Sequence, residues 1–211
     1  MQVCDREAKK LQFEALRKQL GNFSTEGHFL SEIKIPSFDK SAEYLVRGAI
    51  NEFSGSLASG SLLLDALLQQ INTTSLFFAL VDSTDSFDPT QWEESLLFQI
   101  LWIRCHTSKE VISAVDILLR DGNLPLIILD LQTSNFSISP RIWQRFSRIL
   151  ATSQTTLLVL SVTPVAAGVQ LRFQDESQWT FKALQEPRNR LISSLHFSIH
   201  RKGRKKLSSL G

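Results

Sequence analysis

Residues 52–68, EFSGSLASGSLLLDALL, set a glycine, four residues and a second glycine between an apolar strand end and an amphipathic helix. That is the layout of the phosphate-binding loop G-x-x-x-x-G-K-[ST], where backbone N–H groups and the positive end of a helix dipole hold phosphate oxygens. The loop here reads Gly55, Ser56, Leu57, Ala58, Ser59, Gly60, Ser61, Leu62. Ser61 stands where a lysine would meet the β and γ phosphates. Leu62 stands where a hydroxyl would ligate Mg²⁺. The carboxylate that ends LIILDL, Asp130, is correctly placed to hold a Mg²⁺ shell. The stretch then reads either as an ordinary tight strand-to-helix turn without nucleotide or as a degenerate nucleotide site of Gly55, Gly60, Ser61, Leu62 and Asp130, with no catalytic group and room only for weak binding of ATP and Mg²⁺. Gly55 and Gly60 supply the backbone freedom for a phosphate-loop-like turn, with Gly60 expected at positive φ or against the sheet.

Other chemistry is thinly represented. Asp82, Asp85 and Asp88 cluster in LVDSTDSFDP. Three carboxylates there could bind a metal, although Asp and Ser at such places more often cap turns and helices. His196 and His200 share one exposed face of a strand-like stretch, SLHFSIH, which is ordinary surface rather than a zinc site. No G-x-S-x-G, no Cys–His pairing and no G-x-G-x-x-G occurs. Cys4 and Cys105, the only cysteines, do not make a disulfide framework. With no apolar leader at the N-terminus and no apolar run of membrane-spanning length, a cytoplasmic protein without a membrane partner is expected.

The elements that must carry these residues follow from periodicity. A helix is expected over 5–20. From residue 48 strands and helices alternate: strand 49–54, helix 61–70, strand 75–82, a helical PTQWEESLLFQI, strand 101–105, helix 108–121, strand 124–131, helix 139–152 with Ser139 as cap and Pro140 in its first turn, and strand 155–162. Continuous apolar runs such as LPLIILDL read as strands covered on both faces, hence βαβ units and a mostly parallel sheet. After Pro164, VQLRF, WTFKAL and SLHFSIH alternate with period two and predict antiparallel strands. The expected organisation is an N-terminal helix and linker (1–44), a core domain (45–200) and a basic tail (201–211).

In order and spacing, these parts resemble the core of RecA-type recombinases from about residue 45 to residue 173. RGAINEFSGSLASGSLLLDALL is similar to that family's strand, phosphate loop and helix, FALVDSTDSFDP to its next strand and turn, and LWIRCHTSKEVISAVDILLRDGNLPLIILDL to the run ending in the Mg²⁺-binding aspartate. The resemblance implies an α/β, RecA-like P-loop fold with a central, mostly parallel sheet flanked by helices and antiparallel strands at the C-terminal edge. It also places the family's catalytic glutamate on Thr84 and its sensor amide near Thr163. The family's long DNA-binding loop is cut to TPVAAG, which has no basic or aromatic residue to track a nucleic-acid backbone.

These losses resemble one subgroup, the ImuA-type RecA-like accessory proteins of the bacterial mutasome. That implies a non-catalytic adaptor in the SOS and translesion-synthesis response, partnered by an inactive Y-family polymerase-like subunit or by RecA. A SulA-type cell-division inhibitor and a residual ATP-binding repair ATPase are the alternatives. Overall charge is only +2, but Arg201, Lys202, Arg204, Lys205 and Lys206 crowd the end of the chain with no acid among them. Those five are the expected partner-binding or weak DNA-binding residues, and a solvated tail is their plainer reading.

Overall fold

The computed structural model describes residues 45–72, 76–132 and 136–202. The helix expected over 5–20, Cys4, Arg204, Lys205 and Lys206 lie outside them. The chain runs β1 (Ile50–Ser54), α1 (Leu57–Asn72), β2 (Phe78–Asp82), α2 (Glu94–Leu97), β3 (Ile100–Arg104), α3 (Ser108–Asp121), β4 (Leu126–Asp130), α4 (Pro140–Leu150), β5 (Thr156–Ser161), β6 (Leu171–Asp175), α5 (Arg188–Ser193) and β7 (Phe197–Lys202). Short 3-10 turns occupy Pro89–Gln91 and Ala183–Gln185.

The seven strands form one sheet in the order β3-β2-β4-β5-β1-β6-β7. Every neighbouring pair is parallel except β6–β7. Helices cover both faces, so residues of either parity along the central strands must be apolar. Phe78, Leu80, Leu126, Ile128, Leu158 and Leu160 point to the α1 side, where Leu63, Leu67, Leu68 and Ile71 meet them. Ala79, Val81, Ile127, Leu129, Leu157 and Val159 point to the other side, onto Val111 and Val115 of α3 and Trp143 and Phe146 of α4. Burying one such side chain stabilises by roughly 1.5–3 kcal/mol, which is why the apolar runs were readable as strands.

Local signals fix the helix ends. Thr107 and Glu110 form a reciprocal capping box at the start of α3, and Gly122 ends it in the left-handed conformation at φ 66°. Ser139 sits at the N-cap of α4 and Pro140 at its first position, although the Ser139 side chain makes no capping bond. Phe53, Phe173 and Phe197 stack in a triangle with centroids 5.6–5.7 Å apart, which pins β7 through β6 to β1.

Three expectations are corrected. PTQWEESLLFQI is not one helix: Asp88 caps a single 3-10 turn, α2 has only four residues, and the chain becomes strand at Ile100. WTFKAL is not a strand: it lies in turns between β6 and α5, because Trp179 leaves the sheet to pack on the α1-side core. VQLRF is a strand, but it joins β1 in parallel, leaving β7 as the antiparallel member.

Candidate functional site: a helix start with its own anion

The loop that resembles a phosphate-binding loop is not one in three dimensions. Helix α1 begins at Leu57, two residues after Gly55, so Leu57–Gly60 form its first turn rather than an open cradle. Gly60 therefore sits inside the helix and its φ is not positive; the nearest atoms a Cβ there would meet are those of the Gln132 carboxamide. The expected loop conformation is corrected, and of the two settings expected for Gly60 the positive φ is not found. The reason is local. The Ser56 hydroxyl accepts the Ser59 N–H at 3.2 Å, as an N-cap does, and the Ser56 carbonyl accepts the Gly60 N–H at 3.0 Å.

An anion is already present at this helix start, and it belongs to the chain. Asp175, at the end of β6, accepts the Ser59 hydroxyl on one oxygen and the Ser177 N–H at 2.9 Å on the other. The indole N–H of Trp179 donates to the same Ser59 oxygen at 2.7 Å. A carboxylate beside the positive end of a helix is stabilising, and it opposes a second anion. Gly55 is needed for this arrangement: a Cβ there would run into Asp175 Cβ and the Phe53 ring.

Ser61 and Leu62 fall in the next turn. Leu62 is buried in the α1-side core at 5% exposure, so it has no access to a ligand. Ser61 faces outward, and its hydroxyl accepts from Arg188 at 3.2 Å. The Arg188 guanidinium also pairs with Asp65, one turn further along α1 and nearly fully buried.

Asp130 and Asp82 end adjacent strands in direct register. Their oxygens are engaged by the protein itself. Asp130 accepts the Gln132 N–H at 2.9 Å, the Ser86 hydroxyl at 3.1 Å and the Thr84 hydroxyl at 3.3 Å. Thr84, on which the resemblance placed a glutamate, thus sits between the two carboxylates, its hydroxyl also 3.1 Å from Asp82 and able to give its one proton to either. Asp82 organises the following turn through the N–H groups of Thr84, Ser86 and Phe87, and takes the Trp102 indole N–H at 3.3 Å. Burial pushes the Asp130 pKa up, with the Asp82 charge adding to the rise, against opposing hydrogen bonds from Gln132, Ser86 and Thr84. Burial also works to raise Asp82, but the donors on Thr84, Phe87 and Ser86 outweigh it and hold that carboxyl below its ordinary value.

Asp88 caps its 3-10 turn through Thr90, and Asp85 lies in the left-handed region at φ 52° with an exposed contact to Arg104 at 3.7 Å. The three acids are turn formers and do not converge. Among the described residues, no three His, Cys, Asp or Glu side chains group as a metal site. His196 and His200 are exposed, the latter 2.9 Å from the Ser198 hydroxyl. Cys105 is buried, and burial, followed by the Glu110 and Asp82 charges, raises its thiol pKa away from reactivity.

Between α1 and the strand ends lies an open cleft of about 470 Å³, lined among others by Gly60, Ser61, Asp65, Thr84, Asp130 and Arg188. Most of its polar groups are paired with one another, the buried Gln132 amide nitrogen excepted. Its lining fits Mg²⁺ and a nucleoside triphosphate poorly: it holds no lysine, Leu62 takes the place of the hydroxyl ligand, and Asp175 already sits at the helix start.

The residues that sequence reading missed sit on the opposite face. Glu52, fully buried in β1, accepts the N–H groups of Val165 at 2.6 Å and Ala166 at 2.8 Å and pairs with Arg172 at 2.6 Å. Arg172 in turn donates to the Ala166 carbonyl at 2.7 Å. The short TPVAAG link is thereby clamped to the sheet. A lone charged residue inside an apolar strand, EFS in β1, was the available signal. Arg201 and Lys202 lie within β7, in register with Arg172 and Leu171, rather than in a tail.

The chain superposes on the crystal structure of the RadB recombinase with a TM-score of 0.51, covering 65% of this chain and 78% of that one at 15% identity. The fold is RecA-like. No protein-family profile matches the sequence, and no curated protein matches it. No helix among the described residues is long and apolar enough to cross a membrane.

Proposed function

We propose that the chain is a non-catalytic RecA-like accessory protein of the bacterial DNA-damage response, a protein–protein adaptor in an error-prone polymerase complex. One observation carries the non-catalytic part: α1 starts at Leu57 with Asp175 at its first turn, where a nucleotide-binding relative would need an open, cationic loop. The DNA-damage setting is supported by the fold shared with a protein named a recombinase, and by the mutasome-type pattern of losses at Ser61, Leu62 and Thr84. The adaptor role is supported by β7. It forms one edge of the sheet, and edge strands offer backbone groups to a partner. Arg201 and Lys202 on that strand, followed in sequence by Arg204, Lys205 and Lys206, favour an acidic partner or weak contact with phosphates. The test is a pull-down of the tagged chain from DNA-damaged cells. Recovery of a Y-family polymerase-like subunit, the replicative polymerase or RecA is expected; recovery of the division-ring protein alone would overturn the reading.

A further inference from the structure

The crossover from β6 to β7, residues 176–195, is not a plain surface loop. It passes over α1 and is attached there at two separate places. Trp179 is the first: its indole N–H reaches Ser59 in the first turn of α1, where Asp175 also binds. Arg188 is the second, donating to Ser61 just beyond Ser59 and to Asp65 one turn further along the helix. The Trp179 ring, and Leu191 and Ile192 beyond Arg188, also pack on the α1-side core. The Ser177 hydroxyl then accepts the His196 N–H at 2.9 Å, and the Glu176 N–H donates to the His196 carbonyl at 2.8 Å, which closes the segment at its base and hands it directly to β7.

The positions contacted matter. Ser61 and Asp65 line the cleft beside α1, where this fold would carry a nucleotide, and Arg188 forms part of its wall with Thr84 and Asp130, while Ser59 is buried in the first turn of the same helix. Ser61 and Asp65 are thus taken up by Arg188 of the chain itself. We propose that residues 176–195 form a strap that replaces the ligand: clasped at Ser59 and Asp65, it holds the β6–β7 hairpin in place without nucleotide. The segment's contacts with α1 are supplied by the chain's own residues. The edge strand β7 is therefore presented constitutively, and control of the protein must act through its amount or its partners rather than through a nucleotide cycle.

The two clasps differ in chemistry and can be cut separately. Ser59→Ala removes the hydroxyl that receives Trp179 and donates to Asp175. Arg188→Ala removes the guanidinium and leaves the Asp65 carboxylate buried and unpaired. Hydrogen exchange followed by mass spectrometry reads both. In the wild-type chain, millimolar Mg·ATP is expected to leave exchange in 57–61, 176–195 and 197–202 unchanged. Each single variant should raise exchange in 176–202 roughly tenfold or more, with β4 and β5 unaffected, because the opening is local. Indole fluorescence of Trp179 should move with Ser59→Ala, and this second readout does not depend on the exchange rates. Protection of 57–61 by Mg·ATP in the wild-type chain would overturn the proposal, since the site would then belong to a ligand. Unchanged exchange in both variants would overturn it as well, as would an equal rise in β4 and β5, which would make the contacts part of the global core rather than a strap.

Discussion

Glu52 offers the sharpest quantitative test of how the shortened loop is held. Its carboxylate is fully buried, and it accepts two backbone N–H groups and a guanidinium within 2.6–2.8 Å. Glu52→Gln keeps one oxygen for Val165 and Ala166 but turns an amide NH₂ toward Arg172, donor against donor. Arg172 is 20% exposed, so water screens it poorly. Breaking a buried pair by removing one partner costs about 3–5 kcal/mol. Replacing both partners with methionine would ordinarily be near neutral, but here the Ala166 N–H stays buried without an acceptor, at about 1–3 kcal/mol. The expected order of stability is wild type, then Glu52→Met/Arg172→Met, then Glu52→Gln. Urea unfolding at constant m reads it. A loss below about 1 kcal/mol in Glu52→Gln, in the range of an exposed pair, would refute the claim that this carboxylate clamps the loop.

Further outcomes follow from the same geometry. Gly55→Ala should destabilise by about 1–3 kcal/mol, since its Cβ meets Asp175 Cβ and the Phe53 ring, whereas Gly60→Ala meets a movable Gln132 end and gains helix propensity of about 1 kcal/mol; paired thermal melts that reverse this order would refute the early helix start. Asp130→Asn should stabilise the protein at neutral pH. The folded pKa of Asp130 is raised, so its contribution is present below about pH 4 and lost as pH rises through the folded pKa, and each pK unit relieved returns about 1.4 kcal/mol. The advantage over wild type in chemical melts should vanish in acid; an advantage that persists there would point to packing instead. Asp82 has the opposite sign: its lowered pKa contributes stability that is lost as pH falls through the folded value, so Asp82→Asn should lessen acid sensitivity while costing stability at pH 7. Deleting residues 203–211 should leave the melting temperature unchanged, while deleting from Phe197 onward removes a member of the aromatic triangle and should unfold the β6–β7 hairpin.

The alternating core was legible because both faces of its central strands are buried, so each strand is a run of apolar residues that composition alone exposes. Helix 108–121 was readable to the residue, since its apolar stripe ends at a glycine that adopts the left-handed cap. The degenerate site was legible as a list of missing groups, but its shape was not. Ser56 reads equally well as part of a loop or as an N-cap, and the contact of Asp175 with Ser59, from more than a hundred residues away, has no local signal at all. The strap was hidden for the same reason: WTFKAL alternates like a strand, yet Trp179 finds an acceptor on α1 rather than a place in the sheet. Glu52 was passed over because one charge in an apolar run carries no information about Arg172 until β1 and β6 are known to be neighbours.

The central claim is that this RecA-like chain has exchanged nucleotide chemistry for internal contacts. Steady-state phosphate release, measured on the full chain with Mg·ATP in the presence and absence of single-stranded DNA, tests it most directly. The account predicts no turnover above the protein-free rate in either condition. DNA-stimulated turnover that disappears in Asp130→Ala would contradict it.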